Sequence, residues 1–515
     1  MTRRLLLAAG AALALWLWRG ALAQAGDPGP RVGLLPPLWP LGLLLGAAVA
    51  AALRLPCSRL LPLLPALLVV LPWVPGAPAA LQVWTGPLAT AVWAAAVAGL
   101  LLARPLALPA RLRPWALSPS RAPWAAGAVA LVFYSVVAWG AAPMAPGGDE
   151  PHYLVVTQSL LYDRDLRIEN NHDRRDYAAY FAGTLRPDYL VRGRDGAIYS
   201  IHAPGLPALI APAFALGGYP AVVGFLLLLS SIAAALVWRV AFVLTGAPSA
   251  AWFGTAAVVA ATPVAFHSFT VFPDGPAGLC VLAGLLLLLR LGAARRAGIA
   301  VAPGTLARAG AMLALLPWLH TRFALLAAVL ATAALLRLPR SRDGLCGAAA
   351  LLAVPAASAL AWFGYFYVLY GTPDPNAPYG TFMRTQSHPS FITGGLAGLF
   401  FDQQFGLLVY APVYAAAVWG LLALWRRPGE LPGAGDRRLV VELILLAAPY
   451  LAAVTTLRMW WAGWSAPARF LVPLLPVGAV LCAVAWQTAR GRAARAAALG
   501  AAAVTAYTTL ALAMV

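Results

Sequence analysis

Lysine is missing from this chain: all 36 of its basic residues are arginine, a bias that a GC-rich genome produces. Charge as a whole is scarce. Only 10% of residues are charged, where a soluble globular chain carries about a quarter. Four cysteines (Cys57, Cys280, Cys346, Cys482) lie in or beside hydrophobic segments with no CxxC spacing. They read as small buried apolar residues, which argues against disulfides and cysteine metal ligands. There is no P-loop, no dinucleotide-binding glycine fingerprint after a strand and no HExxH motif. No repeat of fixed period is present, so a solenoid is unsupported.

What the chain has is apolar length. Hydrophobic residues make up 62% of it, and they come in blocks of about 15 to 25, the length a helix needs to cross a bilayer. A transmembrane barrel would show alternating strands of about ten residues instead. Backbone groups in lipid must be satisfied internally, so the blocks read as helices. The expected fold is an all-α polytopic membrane protein of about 13 to 15 transmembrane helices, with a large outer loop subdomain after the fifth span. Arg3-Arg4 followed by an apolar run to Ala23 suits a first helix with its N-terminus inside, and equally a signal peptide cleaved near Ala21-Leu22-Ala23. Further spans are expected at about 37–53, 60–79, 84–103, 124–141, 219–244, 249–271, 276–291, 305–319, 322–337, 345–370, 405–425, 439–456, 470–487 and 496–514. Three regions follow: hydrophobic helices over 1–120, a core over 121–490 and a C-terminal helix over 491–515.

The formal charge of +19 invites a nucleic-acid reading, but its distribution argues against one. Arginines cluster in short loops, such as Arg290, Arg295, Arg296 and Arg308, then Arg337, Arg340 and Arg342, then Arg426, Arg427, Arg437 and Arg438. That is the positive-inside pattern, which puts these loops in the cytoplasm and segments 142–218, 371–404 and 457–469 outside. All six histidines fall in or near the outer segments, and nine of the 17 acidic residues lie in 142–218 alone. Any substantial polar site therefore faces outward.

Gly147-Gly148-Asp149-Glu150-Pro151-His152-Tyr153 follows a span and opens a short helix. One acid before a proline is enough to cap a helix. Capping explains neither the second acid nor His152, and a carboxylate pair at a membrane edge suits a general base or a cation ligand. In Tyr199-Ser200-Ile201-His202-Ala203-Pro204-Gly205, His202 is equally a site residue or a turn partner. Asp274, in Phe272-Pro273-Asp274, is equally a cap or a site carboxylate. Trp318-Leu319-His320-Thr321-Arg322 puts ionisable groups at membrane depth, where they are costly and point to function, against the alternative of snorkelling to headgroups. Trp460-Trp461-Ala462-Gly463-Trp464, running on to Arg469-Phe470, combines an interfacial belt with a pocket wall shaped for a sugar or a lipid phosphate. Asp402-Gln403-Gln404 is a weaker polar cluster.

Taken in order, these motifs resemble the GT-C superfamily of membrane glycosyltransferases. The nearest branches are bacterial relatives of dolichyl-phosphate-mannose protein mannosyltransferases and lipid A aminoarabinose transferases. The resemblance covers about 124–490 and rests on Asp149-Glu150, 199–205, Phe272-Pro273-Asp274, 318–322 and the 460–470 loop. It departs from the family in one respect: about four apolar segments precede an acidic pair that normally follows the first membrane helix. The resemblance implies inverting transfer of a sugar from a polyprenyl-phosphate donor to a lipid or glycan acceptor hydroxyl, at the periplasmic face of a bacterial inner membrane. In that scheme Asp149, with Glu150 second, is the catalytic base, and Arg322 and Arg469, assisted by His320, bind the donor phosphate. His152, Tyr153, His202, Asp274 and Trp461 line the substrate pocket. No residue is assigned as a metal ligand, no nucleotide-binding site is needed, a divalent cation stays open as a cofactor, and nucleic acid is not a partner. The alternative is a multi-pass transporter or lipid flippase.

Overall fold

The computed structural model describes the chain apart from residues 25–30, 86–88, 91, 94–95, 98–109, 143–145, 464 and 515. The expected span 84–103 falls largely on these, and Trp464 lies outside the described residues too. Two compact units form: Met1–Pro109 with Ala489–Thr508, and Ala110–Thr488 with Thr509–Val515.

In the first unit α1 (Thr2–Leu17) packs on α2 (Trp39–Arg54). Between them in sequence, β1 (Ala21–Gln24) and β2 (Arg31–Leu34) pair antiparallel, Ala21 opposite Leu34. The segment suited to signal cleavage therefore forms a strand. The span expected at 60–79 is not one helix. It runs as 3-10 turns over Leu61–Val69 and Leu71–Trp73. Pro62, Pro65, Pro72 and Pro75 remove amide donors there, and an α-helix cannot form through so many gaps.

The second unit is mainly helical and carries the candidate site. Its main elements are α3 (Ala122–Ala141), α4 (Glu150–Gln158), α5 (Gly205–Thr245), α6 (Pro248–Val259), α7 (Asp274–Ala297), α8 (Pro303–Leu319), α9 (Ala324–Leu335), α10 (Arg342–Tyr370), α11 (Ile392–Phe401), α12 (Ala415–Arg426), α13 (Arg438–Thr455) and α14 (Leu475–Thr488). The chain ends in α15 (Arg492–Ala513), which is shared between the units. Among the described residues six helices (α3, α5, α7, α10, α13 and α15) are long and apolar enough to cross a membrane. Their outer faces are apolar: Trp139 is 78% exposed and Leu216 88%. This is an all-α architecture of membrane-spanning type.

Several expected spans differ in detail, and prolines and glycines account for the differences. Residues 249–271 divide into α6 and a short helix Thr262–Phe266 with Pro263 in its first turn. Residues 405–425 divide at Pro412 into Leu407–Tyr410 and α12. The span expected at 219–244 extends back to Gly205, bending at Gly217–Gly218, where Gly218 takes φ 63°. Helices approach closely through small residues, as membrane helices do. A side chain at Gly310 would strike the Leu351 carbonyl, and one at Gly420 the Leu481 carbonyl.

The connectivity sorts the loops to two ends. At one end lie the exit from α3, the entries to α5, α7 and α14, the α8–α9 turn, and the exits from α10 and α13. At the other lie 246–247, 298–302, 336–341 and 427–437, with Arg295, Arg296, Arg340, Arg342, Arg426 and Arg427 close by. Contacts bind that second end together. Gly433 N–H donates to the Leu244 carbonyl at 3.1 Å. Arg337 grips Glu442 with two N–H groups, Nε at 2.8 Å, and also reaches the Leu288 carbonyl at 3.1 Å.

At the first end, residues 146–204 form a small body with its own core. Val155, Val156, Ile168, Tyr177, Leu185 and Ile198 are buried together. Asp163, Asn171, Arg174 and Asp176 close one side as a hydrogen-bonded cluster.

Candidate functional site

Each charged group of the site sits at a helix boundary, where the chain leaves apolar packing. Asp149 stands just before α4. It occupies the N-cap position, yet its side chain makes no capping hydrogen bond. Its carboxylate instead accepts from Arg469 Nη1 at 2.9 Å. Asp274, the first residue of α7, likewise caps nothing. Fully buried, it accepts from Arg469 Nε at 3.2 Å on one oxygen and from Arg322 Nη2 at 2.5 Å on the other. The capping explanation open to both acids therefore fails. A single chain of ion pairs, Asp149–Arg469–Asp274–Arg322, joins residues up to 320 apart in sequence.

The loops are built to hold these side chains. Arg469 opens a 3-10 turn, and the preceding Ala468 is forced to φ 55°. Ala462 sits at φ 70°, and its carbonyl receives a further contact from Arg469 Nη1 at 3.4 Å. Left-handed backbone costs a residue with a Cβ about 1–2 kcal/mol, and two alanines in that region mark a loop shaped by its contacts. Phe405 O accepts the Ala468 N–H at 2.9 Å and fixes the loop further. Aromatic faces cover both cations. Arg469 lies 3.9 Å from the Phe272 ring centre, and Arg322 lies between Phe470 at 4.6 Å and Phe323 at 4.8 Å. Arg322 Nε is buried with no hydrogen-bond partner, a donor left free.

Exposure separates the two acids. The Asp149 side chain is 39% exposed, against 6% for Arg469 and 0% for Asp274. Burial works to raise the Asp149 carboxyl, but Arg469 and His202 outweigh it and hold it below the usual carboxylate range. Asp149 is thus the ionised, accessible end of an otherwise buried network.

Glu150 holds a different place from its neighbour. Its Oε1 accepts the Gly147 N–H at 3.0 Å and its Oε2 the Val271 N–H at 2.8 Å. It ties the start of α4 to the stretch that delivers Asp274. Burial pushes its carboxyl up to about 7, against the pull of the two amides. His320 engages the backbone of its own turn. Its Nδ1 accepts the Arg322 N–H at 3.3 Å, closing the turn that carries Arg322.

Beside Asp149 lies a histidine pair. His202 Nε2 meets Asp188 at 3.0 Å, and its ring packs 4.6 Å from Tyr153 and 5.7 Å from His152. Burial, with His202 alongside, pushes His152 down to about 4, so the ring is neutral at physiological pH. Trp461 packs against Trp460 and Phe405, further along the Arg469 loop. Asp402 turns its Oδ1 to the amides of Gln404 and Phe405 and shapes a turn.

Two members escaped the sequence reading. Asp188 is one acid among nine in its segment, and only its contact with His202 distinguishes it. Tyr379, whose hydroxyl reaches the Ile201 carbonyl at 3.4 Å, carries no motif. Among the described residues no three His, Cys, Asp or Glu side chains gather where they would hold a metal ion. No family model, curated protein or solved structure matches the chain.

Proposed function

We propose that the chain is a membrane glycosyltransferase, moving a sugar from a polyprenyl-phosphate donor to an acceptor hydroxyl on a lipid or glycan. The observation that carries this reading is the ion-pair chain itself: a partly exposed carboxylate at one end, followed by two fixed guanidiniums held on one buried acid, one of them with an unused Nε donor. Asp149 takes the proton from the acceptor hydroxyl as its oxygen attacks the anomeric carbon. The bond from that carbon to the phosphate oxygen breaks, and polyprenyl phosphate leaves with the negative charge that Arg322 and Arg469 receive. Attack opposite the leaving group inverts the anomeric centre. Asp274 aims both guanidiniums and keeps them charged in a buried place. Phosphate drawn onto Arg469 also loosens its hold on Asp149, so donor binding makes the base stronger when it is needed.

The finer topology belongs to the same reading. About 13 to 15 crossings, most of them by short helices, would place 142–218 outside and the Arg-rich loops in the cytoplasm of a bacterium, with the site facing the periplasm. The bend of α5 at Gly217–Gly218 favours a second reading, since broken helices are a mark of transporters and flippases.

Donor binding tests the phosphate role. Arg469→Lys keeps charge but loses the planar fork. Purified Arg469→Lys should bind polyprenyl-phosphate sugar more weakly than the native protein, and Arg469→Ala more weakly still. An Arg322→Ala/Arg469→Ala double variant should lose less than the sum of the two losses if one phosphate is shared. Unchanged binding in Arg469→Ala would remove the clamp.

A further inference from the structure

The Arg-rich end holds three cations that the ion pairs of the bundle do not use. Arg239 lies six residues before the end of α5, Arg290 seven before the end of α7, and Arg308 five after the start of α8. At about 1.5 Å per residue, the three sit roughly 7–11 Å inside their helix ends, within about 3 Å of the same depth. The three helices pack against one another pairwise, and Arg239 and Arg308 are the cations that act on Arg290. All three side chains are exposed on the flank of the bundle. None has a carboxylate partner among the described residues. The nearby acid Glu442 is taken by Arg337 and Arg438.

Three guanidiniums at one depth on an apolar flank cannot stay uncompensated. Repulsion among them, and the cost of a charge against hydrocarbon, both favour a bound anion. At that depth the anion a bilayer supplies is a lipid phosphate, and the forked guanidinium suits it. We propose that Arg239, Arg290 and Arg308 form a binding site for an anionic phospholipid headgroup in the leaflet at the Arg-rich end. The site is independent of the reaction proposed above, and its acyl chains would lie along the apolar flank of α5, α7 and α8.

The test uses the full-length protein in nanodiscs of neutral phosphatidylcholine, titrated with phosphatidylglycerol or cardiolipin, with bound lipid read by native mass spectrometry. The native protein should retain the anionic lipid. The single variants Arg239→Gln, Arg290→Gln and Arg308→Gln should each weaken retention roughly fivefold, and the triple variant on the order of a hundredfold. A control with the same charge loss at the exposed Arg295, Arg340 and Arg426 should change it little. Size-exclusion chromatography checks that each variant is folded; if the triple fails, the three singles still decide. Equal losses in the triple and the control would show a diffuse field and overturn the site. So would native retention in all three singles. If inorganic phosphate at millimolar concentration displaces the lipid completely and protects the protein from heat by itself, the ligand is free phosphate and the lipid assignment is wrong.

Discussion

Asp274→Asn and Asp149→Asn remove the same charge from the same network, yet they should fail in opposite ways. Asp274 is fully buried and bonded to a guanidinium on each oxygen, at 2.5 and 3.2 Å. An asparagine there accepts from one arginine and turns an NH2 group toward the other, donor against donor. Removing one partner of a buried ion pair costs about 3–5 kcal/mol, a large share of the roughly 5–15 kcal/mol by which a folded domain is stable. Asp149 is 39% exposed and pairs with Arg469 alone. Solvent reaches one side of that pair, and an asparagine at 149 can still accept from Arg469, so Asp149→Asn should lose clearly less stability than Asp274→Asn. Its turnover should fall roughly 10²–10⁴-fold, the cost of losing a general base. A thiol-reactive dye provides the stability assay, because Cys280 and Cys482 are buried and report unfolding once the half-buried Cys57 and the exposed Cys346 are replaced by serine. If the two variants melt together, or Asp149→Asn is the less stable, the division into a structural acid and an accessible one is wrong.

Glu150 makes stability fall as pH rises. Its folded carboxyl titrates near 7 while the unfolded one titrates near 4.5. Between those values the unfolded chain gives up its proton first and gains relative to the folded one. The melting temperature should therefore drop from pH 4.5 to 7 and level off above, and Glu150→Gln should flatten that slope; an unchanged slope would assign the effect elsewhere. For topology, cysteines placed at the exposed Asp173 and Arg340, with Cys57 and Cys346 replaced by serine, should differ toward an impermeant thiol reagent in intact cells. The first should label and the second should not; the reverse would invert the orientation.

Much of the site was legible because charge is so rare in this chain. An arginine between two apolar runs, as at Arg322 and Arg469, has few explanations, and an isolated acid at a helix start, as at Asp274, has only two. Sequence left the choice between capping and pairing open, since either uses an acid at that position; the contacts of Asp149 and Asp274 resolve it. Glu150 and His320 were not separable from their neighbours in sequence, because a positioning group and a reacting group look alike until their hydrogen bonds are seen. The Arg337–Glu442 pair was hidden for a different reason: Arg337 reads as one more loop arginine, and its partner lies 105 residues away. Apolar run length located α3, α10 and α13 within a few residues but overran the proline-rich stretch 60–79, where hydropathy is high and backbone donors are missing.

A transferase cleaves its donor, and a flippase leaves it whole. Purified protein in liposomes, given a polyprenyl-phosphate sugar labelled in both the lipid and the sugar, and supplied with a membrane extract as acceptor source, separates the two functions directly. Transfer predicts that the labels part: sugar passes to an acceptor, free polyprenyl phosphate accumulates, and Asp149→Asn largely abolishes both. If the labels stay together while the intact lipid exchanges between leaflets, equally in native protein and in Asp149→Asn, the chain is a flippase and the transferase account is contradicted.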